Sequence, residues 1–387
     1  MQHAKFHRIV VAHGVAQACQ KHFGGGSGSL IIKSNLIGEA HYTKTHPDYS
    51  VFTVGQIDPT KGYVHVFDEV SLDIVLKTLD TISDFVKYLE KKERFMSMSG
   101  RSIVATGEEE LLAYYLTHLN RKNEHDFVFP KKYNGIYIEE GHWIEFCQSS
   151  ERLSQIAADR STYAWDRLIE QFIHHAVHQT RYQFDTVIQS NLHQTELMLR
   201  FMARENRTRR RLLIDRLFVL IAQTPSNFKA ISVILPSQPG DPYYVFLLLP
   251  WLPGIPEADY REARIKHLND CCLVTKLKYP EALDIVGIAT EAGQSKSRSE
   301  DACYYDARQW NEEYKDDVIR LQQELEILVA PKLTYATYRD YPSEETKSES
   351  KSKQRSKFSM KGRDRNAPCF CGSGQKFKKC CGAMMKR

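Results

Sequence analysis

The hydrophobic rhythm of the chain changes several times. Tyr63-Val64-His65-Val66-Phe67 follows the turn-forming Asp58-Pro59-Thr60-Lys61-Gly62 and reads as a strand. Two shorter apolar runs precede it, Leu30-Ile31-Ile32 and Val51-Phe52-Thr53-Val54. Over residues 71–92 the period lengthens. Leu72, Val75, Leu76, Leu79, Ile82, Phe85, Val86 and Leu89 recur at three and four, which predicts one or two helices. Gly107-Glu108-Glu109-Glu110-Leu111 opens another helix, with acids where the helix dipole favours them, running to about Asn120. Residues 5–22 carry a helix-like pattern that ends at Gly24-Gly25-Gly26-Ser27-Gly28. That glycine run reads as a flexible loop, because no Lys-Ser/Thr follows it as a phosphate-binding loop requires. Residues 1–138 are thus expected to form an α/β domain.

The next stretch, 139–225, is expected to be mainly helical. Then the period shortens again. Strands are predicted over 230–235, 243–250, 271–278 and 284–290, with helices over 257–269 and 311–328. The order β-β-α-β-β-α over 226–332 suggests an α+β layer with helices on one face. Residues 333–365 follow as a basic linker. The run Ser343-Glu344-Glu345-Thr346-Lys347-Ser348-Glu349-Ser350-Lys351-Ser352-Lys353-Gln354-Arg355-Ser356-Lys357 contains no apolar residue, so it cannot bury surface to offset chain entropy. The expected fold class is therefore α/β and α+β, a multidomain body with a short C-terminal knob over 366–387.

Composition and charge sharpen this picture. With 387 residues and 42% hydrophobic positions, two or more packed cores are expected. No apolar run approaches the ~20 residues of a membrane helix, and the N-terminus has no signal-peptide pattern, so a cytosolic protein is expected. The net charge of +5 is unevenly spread. From Ser343 to Arg387 there are 13 Lys and Arg against 4 Asp and Glu, a net +9. The remainder holds 40 against 44, a net −4. A basic tail attracts nucleic acid, anionic lipid or acidic proteins without selecting among them.

The nine cysteines are not spaced as a disulfide framework. Cys19, Cys147, Cys271, Cys272 and Cys303 are scattered, and are expected to be free thiols. The other four sit in Pro368-Cys369-Phe370-Cys371-Gly372-Ser373-Gly374-Gln375-Lys376-Phe377-Lys378-Lys379-Cys380-Cys381-Gly382. Cys369 and Cys371 make one claw, and Cys380 and Cys381 close a tetrahedral set of soft ligands. Zinc is the metal this donor set suits. A piece this short has no core of its own, so metal binding has to supply its folding energy. Phe370 and Phe377 are the expected apolar cap. Lys376, Lys378 and Lys379 stand beside the metal, either as solubility residues or as contacts to an acidic partner.

The tail resembles the SEC-C motif, the small zinc domain that ends the preprotein translocase motor SecA. The shared pattern is Cys-x-Cys-Gly-Ser-Gly, then Lys-aromatic-Lys, then a Cys pair and Gly, with Cys381 where a His often stands. In the translocase this module binds an export chaperone and the ribosome, so the resemblance implies a protein partner of that kind. It covers about 366–382 only. The body has no nucleotide-binding loop, and is similar to uncharacterised bacterial proteins that end in the same motif.

Other constellations carry less. Asp58, Asp68, Glu69 and Asp73 bracket the 63–67 strand and could converge on a cation as in a nuclease, but the Glu-x-Lys of a restriction-type core is missing from any strand. They read first as turn and cap residues. His174 and His178 are four apart on a helix, yet position 175 is His rather than the Glu of a zinc-protease motif. Arg207, Arg209, Arg210 and Arg211 could bind phosphate. With Leu212, Leu213, Leu217 and Leu220 as the apolar face, they are expected on the wet one. Ser299-Glu300-Asp301 could hold a ligand with Asp306, but reads as a helix cap. Two functions remain open on these residues. One is a recruitment protein whose tethered knob binds a chaperone, ribosome or nucleic acid. The other is a nuclease-like effector enzyme in stress or antiviral defence. Whether the body is catalytic is left undecided.

Overall fold

The computed structural model describes residues 7–12, 29–33, 37–45, 48–58, 60–97, 102–122, 124–128, 135–138, 141–180, 187–251, 254–293 and 298–329, with Lys376 and Lys379 in the tail. Helices and sheets are mixed, and the body divides into two compact units, one ending at Ala158 and one starting at Asp159.

The first unit is built on a seven-stranded sheet. Its strands are β1 (Arg8–Ala12), β2 (Ser29–Lys33), β3 (Ile37–Thr45), β4 (Asp48–Asp58), β5 (Gly62–Asp68), β6 (Ser102–Ala105) and β7 (Gly135–Ile138), in the order β1-β5-β4-β3-β2-β6-β7. The centre is antiparallel, while β1 lies parallel to β5 and β6 parallel to β7. The strand at Arg8–Ala12 corrects the helix expected over 5–22. Ile-Val-Val is a β-branched run, and it pairs residue by residue with β5. The Asp58–Gly62 turn forms as its residues dictate. Lys61 N–H donates to the Asp58 carbonyl at 3.0 Å, Thr60 N–H to the Asp58 carboxylate at 2.9 Å, and Gly62 takes a positive φ of 76°.

Three helices complete most of this unit's core. They are α1 (Glu69–Thr78), α2 (Ile82–Met96) and α3 (Glu108–Thr117). Asp68 caps α1 by accepting from Val70 and Ser71 N–H. Thr81 caps α2 by accepting from Asp84 N–H, while its hydroxyl donates to the Asp84 carboxylate. Along α2 the buried positions Tyr88, Leu89, Lys92, Phe95 and Met96 fall on one stripe. The three acids opening α3 are buried, not solvated. Glu108 holds Lys92 Nζ at 2.7 Å and the Tyr88 hydroxyl at 2.6 Å. Glu110 accepts from Gly141 and Trp143 N–H, and so satisfies the start of α4 (His142–Gln148). Helix α5 (Ser150–Asp159) follows.

The second unit holds α6 (Tyr163–Thr180), α7 (Val187–Arg204), α8 (Arg207–Gln223), α9 (Glu257–Lys278) and α10 (Lys315–Glu324). Its sheet has β8 (Ala230–Ile234), β9 (Tyr243–Leu249), β10 (Asp284–Glu291) and β11 (Asp301–Asp306), in the order β11-β10-β9-β8. The outer pairs are antiparallel; β9 and β10 are parallel and α9 connects them. Helices cover both faces, correcting the one-sided layer expected. Tyr244, Phe246, Leu248, Val286 and Ile288 pack with Trp165, Met202, Leu213 and Leu217. Tyr243, Val245, Leu247, Ile285 and Ala289 pack with Leu268, Cys271, Cys272 and Val274. The near-continuous apolar run of β9 is what two-sided burial demands. Inside β10 stands Gly287, where a Cβ would come within 2.8 Å of Cys303 Sγ and 2.9 Å of Leu268. Only glycine allows α9 so close.

Two more expectations fail here. Residues 271–278 continue α9 instead of forming a strand. The buried set Tyr260, Arg264, Leu268, Cys271, Cys272 and Thr275 keeps a helical spacing, and packing onto the sheet outweighs the β-branched residues. Asp301–Asp306 is a strand rather than the start of a helix, because β10 offers it an antiparallel edge. The helix expected over 311–328 shortens to α10, preceded by a 3-10 turn at Glu312–Tyr314 that Asn311 caps. Cys147, Cys271, Cys272 and Cys303 are free thiols; burial pushes the Cys271 thiol up to about 12. Cys19 lies outside the described residues.

Candidate functional site

The edge where β1 meets β5 gathers the most ligand-like chemistry in the described body. In the parallel register Ile9 stands opposite His65, so His7, two residues before Ile9, falls on the face that His65 occupies. Helix α2 brings Glu93 to the same place. Glu93 Oε1 accepts from His7 Nδ1 at 2.8 Å and from His65 Nε2 at 3.1 Å. The ligand-capable atoms of these three residues all lie within 4.8 Å of one another, and they form the one such group of His, Cys, Asp and Glu among the described residues. His65 is 1% exposed and Glu93 7%. Burial pushes the His65 imidazolium below its usual range, against the pull of the Glu93 carboxylate.

Glu93 also lines an open pocket of about 490 Å³. Arg8, Lys61 and Arg94 contribute cations to its wall, and Glu90 and Tyr63 complete much of the rest. Arg94 is held by Asp126, which also pairs with Lys91 at 3.3 Å. Burial raises the Asp126 carboxyl, but hydrogen bonds from Arg94 and Asn120 and the charge of Lys91 outweigh it and hold it below the usual carboxylate range. One helical step from Glu93, Lys92 is committed to Glu108 and lies 5.5 Å from the Phe67 ring centre.

The residues singled out in the sequence are dispersed. Asp58 organises its turn and Asp68 caps α1. Asp73 pairs with Lys77 one turn along the helix at 2.6 Å. With Glu69 they do not converge on a common point, so the nuclease-type carboxylate cluster is absent from the described residues. His174 is exposed on α6; the side chains of His175 and His178 lie outside the description, as does the 24–28 glycine run. The arginines of α8 are not its wet face. Arg207, Arg210 and Arg211 are 8%, 6% and 6% exposed. Asp166 receives both Arg207, at 2.8 Å, and Arg210, while Asp159 receives Arg211. Arg209 reaches the Leu235 carbonyl. These side chains tie three helical segments together, which explains a basic run without a nucleic-acid partner.

Glu300, Asp301 and Asp306 separate as well. Asp301 joins Glu291 around Arg264, whose side chain is fully buried. Arg261 and Ser299 complete this network through Asp301 and Glu291 respectively. Glu300 accepts from Gln171 at 2.9 Å, and Asp306 caps a short 3-10 turn.

His7, His65 and Glu93 were not singled out by sequence reasoning. They are 58 and 28 residues apart and make no local motif. The available signal was a histidine at a position of β5 that alternation assigns to the interior.

In the tail, Cys369, Cys371, Cys380, Cys381 and Lys378 lie outside the described residues. Lys376 and Lys379 are exposed, and Lys379 N–H donates to the Lys376 carbonyl at 2.8 Å. Among the described residues no helix is long and apolar enough to cross a membrane. Comparison with curated proteins and with solved structures finds no match. The family model of the SEC-C motif matches residues 365–383, so the tail carries a SEC-C motif.

Proposed function

We propose that this protein works by recruitment: its C-terminal knob binds one zinc ion through Cys369, Cys371, Cys380 and Cys381, and presents Lys376, Lys378 and Lys379 to a macromolecular partner. The observation that carries the reading is the SEC-C match over 365–383, which takes in all four thiols. The donor set fits zinc, since four thiolates make a closed tetrahedral site with no open position, the structural rather than catalytic kind. Exposure of Lys376 and Lys379 supports partner contact. The basic linker at 333–365 acts as a tether that raises local concentration without fixing orientation. The partner is a chaperone or ribosome, with nucleic acid as a further target of the basic tail, and the protein acts in the cytosol.

The experiment counts reactive thiols with and without zinc, then compares capture from host lysate by the intact chain and by Cys380→Ser/Cys381→Ser. Protection of four thiols per bound zinc, and a partner held only by the intact chain, are expected. Unprotected thiols or identical captures would refute the reading.

A further inference from the structure

We infer that the β1–β5 edge holds a second metal site: His7 Nδ1, His65 Nε2 and Glu93 Oε1 bind a divalent transition-metal ion whose remaining position opens to the basic pocket and takes an anion such as phosphate.

Two imidazoles and one carboxylate are a donor set suited to zinc and its first-row neighbours, and such sites keep an open position. For ligands ~2.05 Å from a tetrahedral ion, neighbouring donor atoms stand about 3.3 Å apart. Glu93 Oε1 stands 2.8 and 3.1 Å from the two imidazole nitrogens, so an ion has to spread each of these two pairs by only a few tenths of an ångström, and all three donor atoms already lie within 4.8 Å of one another. Two of the three ligands are already fixed by packing. His65 lies inside β5 and Glu93 on the buried stripe of α2, which lowers the ordering cost of binding. His7, at the open strand end, is the one that can adjust.

The surroundings set the fourth ligand. Glu93 is both a member of the cluster and part of the pocket wall, so the pocket leads to the ion. Arg8, Lys61 and Arg94 face that space against Glu90 and Glu93. A divalent ion adds two positive charges beside these cations, which favours an anion over a neutral ligand.

The test uses the full-length Cys369→Ser/Cys371→Ser/Cys380→Ser/Cys381→Ser chain, so that the tail thiols do not compete. Titration with Co2+ is expected to give one equivalent with visible d–d bands and no thiolate charge-transfer band. Inorganic phosphate is expected to shift those bands. Glu93→Gln should weaken Co2+ binding at least tenfold. His7→Ala, at a strand end and outside the core, is the second variant should Glu93→Gln unfold, with circular dichroism as the folding control. No Co2+ uptake by the folded chain, or uptake unchanged in folded Glu93→Gln or His7→Ala, would overturn the site. Bands indifferent to phosphate would overturn the anionic ligand. Neither result bears on zinc in the tail, which this chain lacks by design.

Discussion

Replacing Arg264 by Met tests how the second unit is held together. The guanidinium is fully buried and satisfies two carboxylates that are each 4% exposed, at 2.7 Å to Asp301 and 3.1 Å to Glu291. Methionine restores most of the stem's packing, so the loss is mainly electrostatic. Removing one partner of a buried ionic group typically costs ~3–5 kcal/mol, because the remaining charges are stranded. Here both carboxylates keep a second donor, Arg261 on Asp301 and the Ser299 N–H and hydroxyl on Glu291. The low end, ~3 kcal/mol, is therefore expected. At ~2–4 °C per kcal/mol for a unit of this size, the melting temperature falls by roughly 6–12 °C. The assay is urea unfolding followed by hydrogen exchange, read on the β9 and β10 peptides. The triple change Arg264→Met/Glu291→Gln/Asp301→Asn should recover much of the loss by removing the stranded charges as well. A single variant within ~1 kcal/mol of the parent, or a triple variant worse than the single, would refute a network that acts through paired charge.

Gly287→Ala should destabilise the second unit by ~1–3 kcal/mol, since the added carbon meets Leu268 and Cys303; chemical denaturation checks it, and an unchanged midpoint would contradict the close packing of α9. Arg210→Ala should destabilise the same unit while leaving the salt dependence of any nucleic-acid binding untouched, because its guanidinium is bound to Asp166 and the Ala203 and Glu205 carbonyls. A weaker salt slope in a filter-binding assay would restore the phosphate-binding reading of α8. Stability should fall in acid. Burial raises the Glu291 carboxyl, but Ser299 and Arg264 pull it down further, so its folded value lies below the ordinary 4.5. A depressed carboxyl contributes stability above its unfolded value and loses it as pH falls through the folded one. The loss therefore begins near 4.5, and Glu291→Gln should flatten that limb of a pH-dependent melting curve.

What could be read in advance follows physical locality. The Asp58–Gly62 turn, the strand after it and the two helices over Glu69–Met96 were legible because turn residues, alternation and caps sit within a few positions of one another. The cysteine tail was legible for the same reason, its ligand spacing being written in thirteen consecutive residues. Non-local packing hid the rest. The end of α9 looked like a strand because Val274 and Thr275 favour one, and the sheet face that keeps it helical is supplied by β9 and β10. The arginines of α8 looked solvent-facing because their acidic partners, Asp159 and Asp166, are 41 to 52 residues away. His7, His65 and Glu93 meet only through the parallel pairing of β1 with β5 and the descent of α2.

The most direct test of recruitment is capture of partners from host lysate by the full-length protein before zinc chelation, after it, and after zinc is added back. The account predicts a specific partner that is retained at first, released on chelation and regained with zinc, and never held by Cys380→Ser/Cys381→Ser. Capture that is indifferent to chelation and identical in the variant would contradict it and leave the knob no role in recruitment.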